Sequence, residues 1–301
     1  MNRQTPALPV LGNVVAGIDA SPAARTAALW AAAEADRRGR PLHLVHAADT
    51  DRRALWSSAE SIEAVRQAGN ELLLDTVSAV RERFPDLTVT RELGRQEPVA
   101  GLLAAGGRRG TIVVGSRGLG GFSSLMLGSI GLGVAARAEV PVIVVRGEGE
   151  RPETGTVTAA VHGVEDLSWL LLAAAEAHAR KATLRLVSVW NVLTHVGSVA
   201  TMLDDLDEIA RRRVQKLKEL ADRVRGAYPD LIVGHNVETG TSTSGILIEA
   251  SAHTDLVVMG RGGRPLGVGP ALGRVAHALI HHAQCPVQIV PSAFTDGDGT
   301  A

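Results

Sequence analysis

The residues with chemistry to offer gather in one stretch, Thr111–Ser129, and at one distant carboxylate, Asp19. In TIVVGSRGLGGFSSLMLGS the apolar run Thr111–Val114 stops at Gly115. Arg117, Gly118, Gly120 and Gly121 follow, and Gly128–Ser129 opens a helical pattern through Ile130. Glycines let backbone N–H groups turn inward and approach a ligand closely, which makes a nest for an anion. A helix N-terminus adds free N–H groups and the positive end of the dipole, which suits phosphate. Ser129 offers a hydroxyl donor, and Arg117 lies where it could reach a terminal phosphate or the water shell of a bound Mg²⁺. Asp19 ends the first apolar run, Asn13–Ile18. A carboxylate there can accept from a ribose hydroxyl or an adenine amino group, and the backbone of Val45, ending the second run, would lie close enough to read a base edge. Each feature also has a plainer reading. Glycine-rich loops are often turns, Gly–Ser is a common helix start, and Asp19 could cap the helix after it. On residue types alone both readings stand.

The same skeleton returns later in the chain. Leu256–Met259 runs into Gly260, and Gly260, Gly263 and Gly273 stand at one constant offset from Gly115, Gly118 and Gly128. The copy is not complete. Arg274 replaces Ser129, His162 falls where Asp19 stands, and Gly163–Val164–Glu165 replaces Ala20–Ser21–Pro22. A guanidinium at 274 could bind phosphate itself or fill the pocket with its long side chain. With the carboxylate also gone, the expectation is one intact site, in the first half.

The elements that must position these residues follow an alternating order. Asn13–Ile18 reads as a strand, and Ser21–Pro22 starts a helix through Ala23–Arg38 that stops at Gly39, with serine at the N-cap and proline at the first helical position. Leu42–Ala47, Leu87–Leu93, Thr111–Val114 and Val140–Val145 are further strands. About Ser61–Arg83, Glu97–Ala105 and Gly128–Ala138 are helices, with Asp49–Ser61 a polar loop. Short β-branched runs alternating with helices imply a parallel sheet covered on both faces. Arg146–Gly155 is charged and rich in glycine and proline, a linker, after which the plan repeats. A repeat this long is a duplicated domain, and the boundaries fall at 1–148 and 149–301. An open parallel sheet binds ligands beyond the carboxyl ends of its strands, where strand order reverses. The strands ending at Ile18 and Val114 are the natural pair to flank that crevice.

Composition narrows the alternatives. The 301 residues are 45% hydrophobic and 21% charged, with a formal net charge of −1. That balance lacks the basic excess of a nucleic-acid binder, and no apolar run is long enough to span a membrane. The start of the chain lacks the apolar core of a secretory signal. The single cysteine, Cys285, excludes an intrachain disulfide and reads as a buried structural thiol. Together these point to the cytoplasm. There is no G-x-x-x-x-G-K-[ST], no G-x-G-x-x-G after the first strand and no G-x-S-x-G elbow, so the common P-loop, dinucleotide and hydrolase signatures are absent. His277 and His281 lie four apart, with His282 adjacent, but without a nearby carboxylate they read as an ordinary helix face.

The sequence resembles the universal stress protein family, twice over. Val15-Ala-Gly-Ile-Asp19-Ala-Ser21-Pro22 is similar to the family's opening strand and helix start. Val113-Val-Gly115-Ser-Arg-Gly118, nine further residues and Gly128–Ser129 resemble its ATP motif, G-x2-G-x9-G-[ST]. Val140–Val145 resembles its closing strand. The resemblance implies two tandem doubly wound α/β domains, each an open five-stranded parallel sheet of the adenine nucleotide alpha hydrolase-like kind. It implies ATP, with Mg²⁺, as the ligand. Gly17, Ile18, Asp19 and Val45 would serve the adenosine side, and Gly115, Arg117, Gly118, Gly128, Ser129 and Ile130 the phosphates. It further implies a stress or regulatory role through nucleotide-linked conformation, with a homo-oligomer or a regulatory protein as partner, and no nucleic acid or membrane. No general base stands out for fast hydrolysis, which leaves a slow ATPase or a nucleotide-independent interaction module as alternatives. An adenylating or flavin-binding relative would carry an S-G-G-x-D-like loop where this chain has Asp19-Ala-Ser-Pro22.

Overall fold

The computed structural model describes residues 9–107, 110–116, 128–146, 151–162, 167–191, 203–262 and 272–291, with residues 191 and 203–207 described by their backbone alone. Arg117 and Gly118 therefore lie outside the described residues. One compact unit begins at Leu11 and ends at Arg151, and the other takes up at Pro152.

The first unit runs β1 (Asn13–Gly17), α1 (Pro22–Arg37), β2 (Leu42–Ala47), α2 (Thr50–Arg53), α3 (Ala59–Arg83), β3 (Val89–Gly94), α4 (Pro98–Gly106), β4 (Gly110–Gly115), α5 (Ser129–Arg137) and β5 (Val142–Val145). Its strands are ordered β3-β2-β1-β4-β5, all parallel. The second unit runs β6 (Thr156–Ala160), α6 (Ser168–Ala179), β7 (Thr183–Asn191), α7 (Leu203–Ala227), β8 (Val233–Gly240), α8 (Thr243–Ala250), a 3₁₀ turn (Ser251–His253), β9 (Leu256–Gly260), α9 (Arg274–His282) and β10 (Val287–Val290). Its order, β8-β7-β6-β9-β10, is the same one. Each unit is thus the five-stranded doubly wound sheet expected, with the order reversing between β1 and β4, and between β6 and β9.

The central strands are nearly continuous apolar runs because both faces are covered. Val14, Ala16, Leu42, Leu44, Ile112 and Val113 are fully buried, as are Val157, Leu184, Leu186 and Val257. Alanines 24, 27, 28, 31, 32 and 35 line the buried side of α1, which lets that helix lie close to the sheet. Ser21 caps α1, its hydroxyl accepting the Ala24 N–H at 3.2 Å, and Pro22 follows as the motif required. One expectation needed correcting: the segment after β2 is not all loop. Thr50–Arg53 forms a helical turn, and α3 begins at Ala59, where Ser58 caps it by accepting the Ser61 N–H.

Each unit also buries a charge. Glu34 on α1 is fully buried and pairs with Arg38 at 2.7 Å, and Arg38 in turn donates to the Thr111 hydroxyl at the foot of β4. In the second unit Glu176 on α6 pairs with Arg180 at 2.6 Å and accepts from Gln288 Nε2 on β10. A buried carboxylate persists only when paired and hydrogen-bonded, so these two clusters tie each first helix to its own sheet.

Candidate functional site

The β1–β2 register ends at Gly17–Val45. Ile18 adds one more backbone bond, its N–H donating to the Val45 carbonyl at 2.8 Å, and the chain then turns at Asp19. Val45 itself is 1% exposed, so what it presents is backbone already engaged with β1. One oxygen of the Asp19 carboxylate, Oδ1, accepts both the Ser21 N–H and the Ser21 hydroxyl. Asp19 therefore does help start α1, as the plainer reading had it. Both bonds fall on the one oxygen, and the residue is only half-buried. The Ile18 carbonyl is held from the other side by the His46 ring, Nδ1 to O at 2.8 Å.

Across the strand-order reversal stands Gly115, at the end of β4. Its φ is not among the positive ones, so no left-handed turn demands glycine there. The demand is steric instead: a Cβ would fall 2.8 Å from the Ala23 carbonyl carbon and oxygen, which are backbone and cannot swing away. Glycine at 115 lets the first turn of α1 press directly onto the tip of β4. The next residue, Ser116, donates its N–H to Val145 at 2.9 Å, and its carbonyl accepts the Gly128 N–H at 3.2 Å. That last bond seats the start of α5 against the end of β4. Gly128 is the N-cap of α5, with no side-chain cap, and its carbonyl accepts from Leu132. A helix leaves its first N–H groups without intrahelical partners, so those of Ser129 and Ile130 open the helix next to Gly115. Ser129 is exposed. The structure thus brings Gly17, Ile18, Asp19, Gly115, Gly128, Ser129 and Ile130 to the carboxyl ends of the two strands flanking the reversal.

The second unit repeats three of these backbone bonds. Val161 donates to the Val187 carbonyl at 2.8 Å as Ile18 does to Val45, and Arg261 donates to Val290 as Ser116 does to Val145. His277 donates to Gly273 as Leu132 does to Gly128. These equivalences place His162, an exposed residue, where Asp19 stands. They also show that the first helix differs. α6 has 12 residues against 16 in α1, begins after Leu167 in a helical conformation and has no side-chain cap. The Trp169 indole lies beside Gly260, whose added Cβ would meet it at an ordinary 3.5 Å. Arg274 opens α9 as an exposed side chain.

Sequence reasoning missed His46 and Trp169. His46 carries no motif; its role follows only from the carbonyl that β1 leaves at the end of its ladder. Trp169 was one of four scattered tryptophans until the contact with Gly260 gave it a place. His277 and His281 stack with ring centroids 4.4 Å apart, and no cluster of three metal-ligating side chains occurs among the described residues. Cys285 is buried and reduced. A hollow of about 330 Å³ between Gly39, Pro41 and Thr88 lies at the amino ends of β2 and β3, the opposite end of the sheet from the strand tips described above.

A doubly wound parallel sheet with an uncapped helix start beside its reversal point is the α/β architecture that binds ligands beyond its strand ends. Comparison with known proteins makes the class specific: a model of the universal stress protein family matches residues 11–146 and again 156–291, and the chain belongs to that family. It is 30% identical over 289 residues to a universal stress protein of Mycobacterium tuberculosis H37Rv, covering 91% of this chain and 95% of the relative. It is 36% identical over 140 residues to one of Mycolicibacterium smegmatis, covering 44% and 45% of the two chains. Among solved structures, a universal stress protein of Archaeoglobus fulgidus superposes with a TM-score of 0.67 at 15% identity, covering 93% of this chain and 98% of that one. At that identity the likeness speaks for the fold. No helix among the described residues is long and apolar enough to cross a membrane.

Proposed function

We propose that the first unit binds an adenine nucleotide, ATP, at the carboxyl ends of β1 and β4, and that the second unit is a degenerate partner that does not. Gly17, Ile18, Asp19 and Val45 take the adenosine side. Gly115, Arg117, Gly118, Gly128, Ser129 and Ile130 take the phosphates. The observation that carries the reading is the Gly128–Ser116 bond, which seats an uncapped helix N-terminus beside Gly115 at the strand-order reversal. Phosphate oxygens would meet there the first-turn N–H groups and the Ser129 hydroxyl, while Asp19 Oδ2 accepts from the sugar or the base. Mg²⁺ would ride on the phosphates, since the protein offers no carboxylate cluster among its described residues. The role is binding-linked: nucleotide orders the glycine-rich loop and so alters a surface read by a second copy or by a regulatory protein. The chain acts in the cytoplasm, in a stress response.

The test is direct. Freshly purified protein is denatured and the released small molecules are separated by nucleotide chromatography, alongside calorimetry with ATP on ligand-stripped protein. ATP or ADP in the extract and ATP binding by calorimetry support the reading. A released flavin, or an empty extract together with no heat of ATP binding, rejects it.

A further inference from the structure

We propose that His46 is a positioning residue of this crevice, holding the carboxyl end of β1 so that Asp19 faces the ligand. The inference rests on the nucleotide reading above and extends it to a residue that touches no ligand. After Gly17–Val45 the β1–β2 register stops, and the Ile18 carbonyl accepts its bond from the His46 ring at 2.8 Å. A carbonyl can only accept, so Nδ1 carries the proton in this bond. The Ile18 carbonyl and the Asp19 N–H belong to one planar peptide group. Fixing the first therefore fixes the plane from which Asp19 departs.

The ring is itself held. α3 crosses it at Gly69, where an added Cβ would stand 2.8 Å from His46 Cδ2, 3.3 Å from Nε2 and 2.8 Å from a Leu93 methyl. The Gly69 backbone and the Ile18 carbonyl thus both lie against the imidazole. In the second unit the equivalences put Ser188 where His46 stands, with a side chain too short to replace an imidazole, and His162 where Asp19 stands. The chain has given up the positioning residue and the carboxylate together, in the same half.

The experiment compares wild type with His46→Leu, His46→Asn and Gly69→Ala, each first checked for a cooperative thermal transition. Asparagine can place an N–H close to where Nδ1 stands; leucine matches the bulk and removes the donor. Binding is measured with ATP and, separately, with adenosine. H46L is expected to weaken both by about tenfold, the effect of one hydrogen bond, and H46N to restore most of the loss. Loss of adenosine binding places the effect away from the phosphates. H46L that binds like wild type, or H46N as weak as H46L, overturns the proposal. Should H46L not fold, G69A tests the same clamp by pushing the ring, and unchanged adenosine affinity would overturn it. ¹⁵N NMR of the imidazoles reports the ring protons independently of ligand: a proton on Nδ1 is expected for His46, and an Nδ1 without one contradicts the bond. Wild type that binds no adenine nucleotide, with the Nδ1 proton present, rejects the nucleotide reading and not the clamp.

Discussion

The tips of the two sheets are built alike and finished differently. Both units end their first strand with the same backbone bond, Ile18 to Val45 and Val161 to Val187, and both seat a glycine at the start of the helix before the last strand. Both bury a glutamate on the first helix against an arginine four residues on. What differs is the chemistry: Asp19 against His162, His46 against Ser188, Ser129 against Arg274, and a capped first turn against an uncapped one. The lesson is that the same glycine spacing occurs in both halves beside different side chains. Gly115 is demanded by the backbone of α1, whereas among the described residues Gly260 meets the Trp169 indole at an ordinary 3.5 Å. Packing thus accounts for the glycine at 115 and not for the one at 260, and the halves differ most in the residues between and beside the glycines.

The comparison can be stressed where the halves are expected to agree. Glu34→Ala leaves Arg38 buried without its carboxylate, and Glu176→Ala does the same to Arg180. Each should cost about 3–5 kcal/mol, read as a lowered denaturant midpoint. A loss in one half only would show that the two clusters are not equivalent.

Next come places where the halves should differ. Asp19→Asn keeps an oxygen to accept from Ser21 but removes the charge, so α1 stays capped. ATP affinity should fall by the worth of a charged hydrogen bond, about 1.5–3 kcal/mol, while His162→Asn should leave it unchanged. Equal effects on calorimetric affinity would dissolve the functional difference between the halves. Gly115→Ala forces a methyl onto the Ala23 backbone and should destabilise by about 1–3 kcal/mol. Gly260→Ala, with only ordinary contacts, should stay within about 0.5 kcal/mol. Thermal melts of the pair decide it.

The smallest expected effect lies on α7, where Arg212 donates to the exposed Glu208 at 2.7 Å. That hydrogen bond, aided by the charge of Arg212, holds the Glu208 carboxyl below its ordinary value of 4.5. The folded value being depressed, any stability it adds is present above the unfolded value and lost as pH falls through the folded one. Glu208→Gln should therefore differ from the parent slightly at neutral pH, less in high salt, and not at all in strong acid. A difference that grows on acidification would reverse the sign.

Much of the fold was legible because its cues are local. Ser21–Pro22 announced a helix start, and apolar runs such as Leu42–Val45 and Thr111–Val114 announced buried parallel strands. Even the buried pair left a trace, since Ala31-Ala-Ala-Glu34-Ala35 recurs as Ala173-Ala-Ala-Glu176-Ala177. The strand tip and helix start that the proposed site uses were legible where family spacing carried them, at Gly115, Gly128 and Ser129. It was not legible where the cause is contact between distant elements. Nothing near His46 in sequence says that the Ile18 carbonyl lacks a strand partner, or that Gly69 on α3 closes over the ring. Nor does anything near Trp169 in sequence say that its indole lies beside Gly260.

The central claim, one intact site in a duplicated fold, is tested most directly by the stoichiometry of ATP binding to the full-length chain, by calorimetry on ligand-stripped protein of known active concentration. One ATP per chain, abolished by Asp19→Asn at ligand levels near the wild-type Kd, is the predicted result. Two ATP per chain, or one that survives Asp19→Asn unchanged, would contradict it.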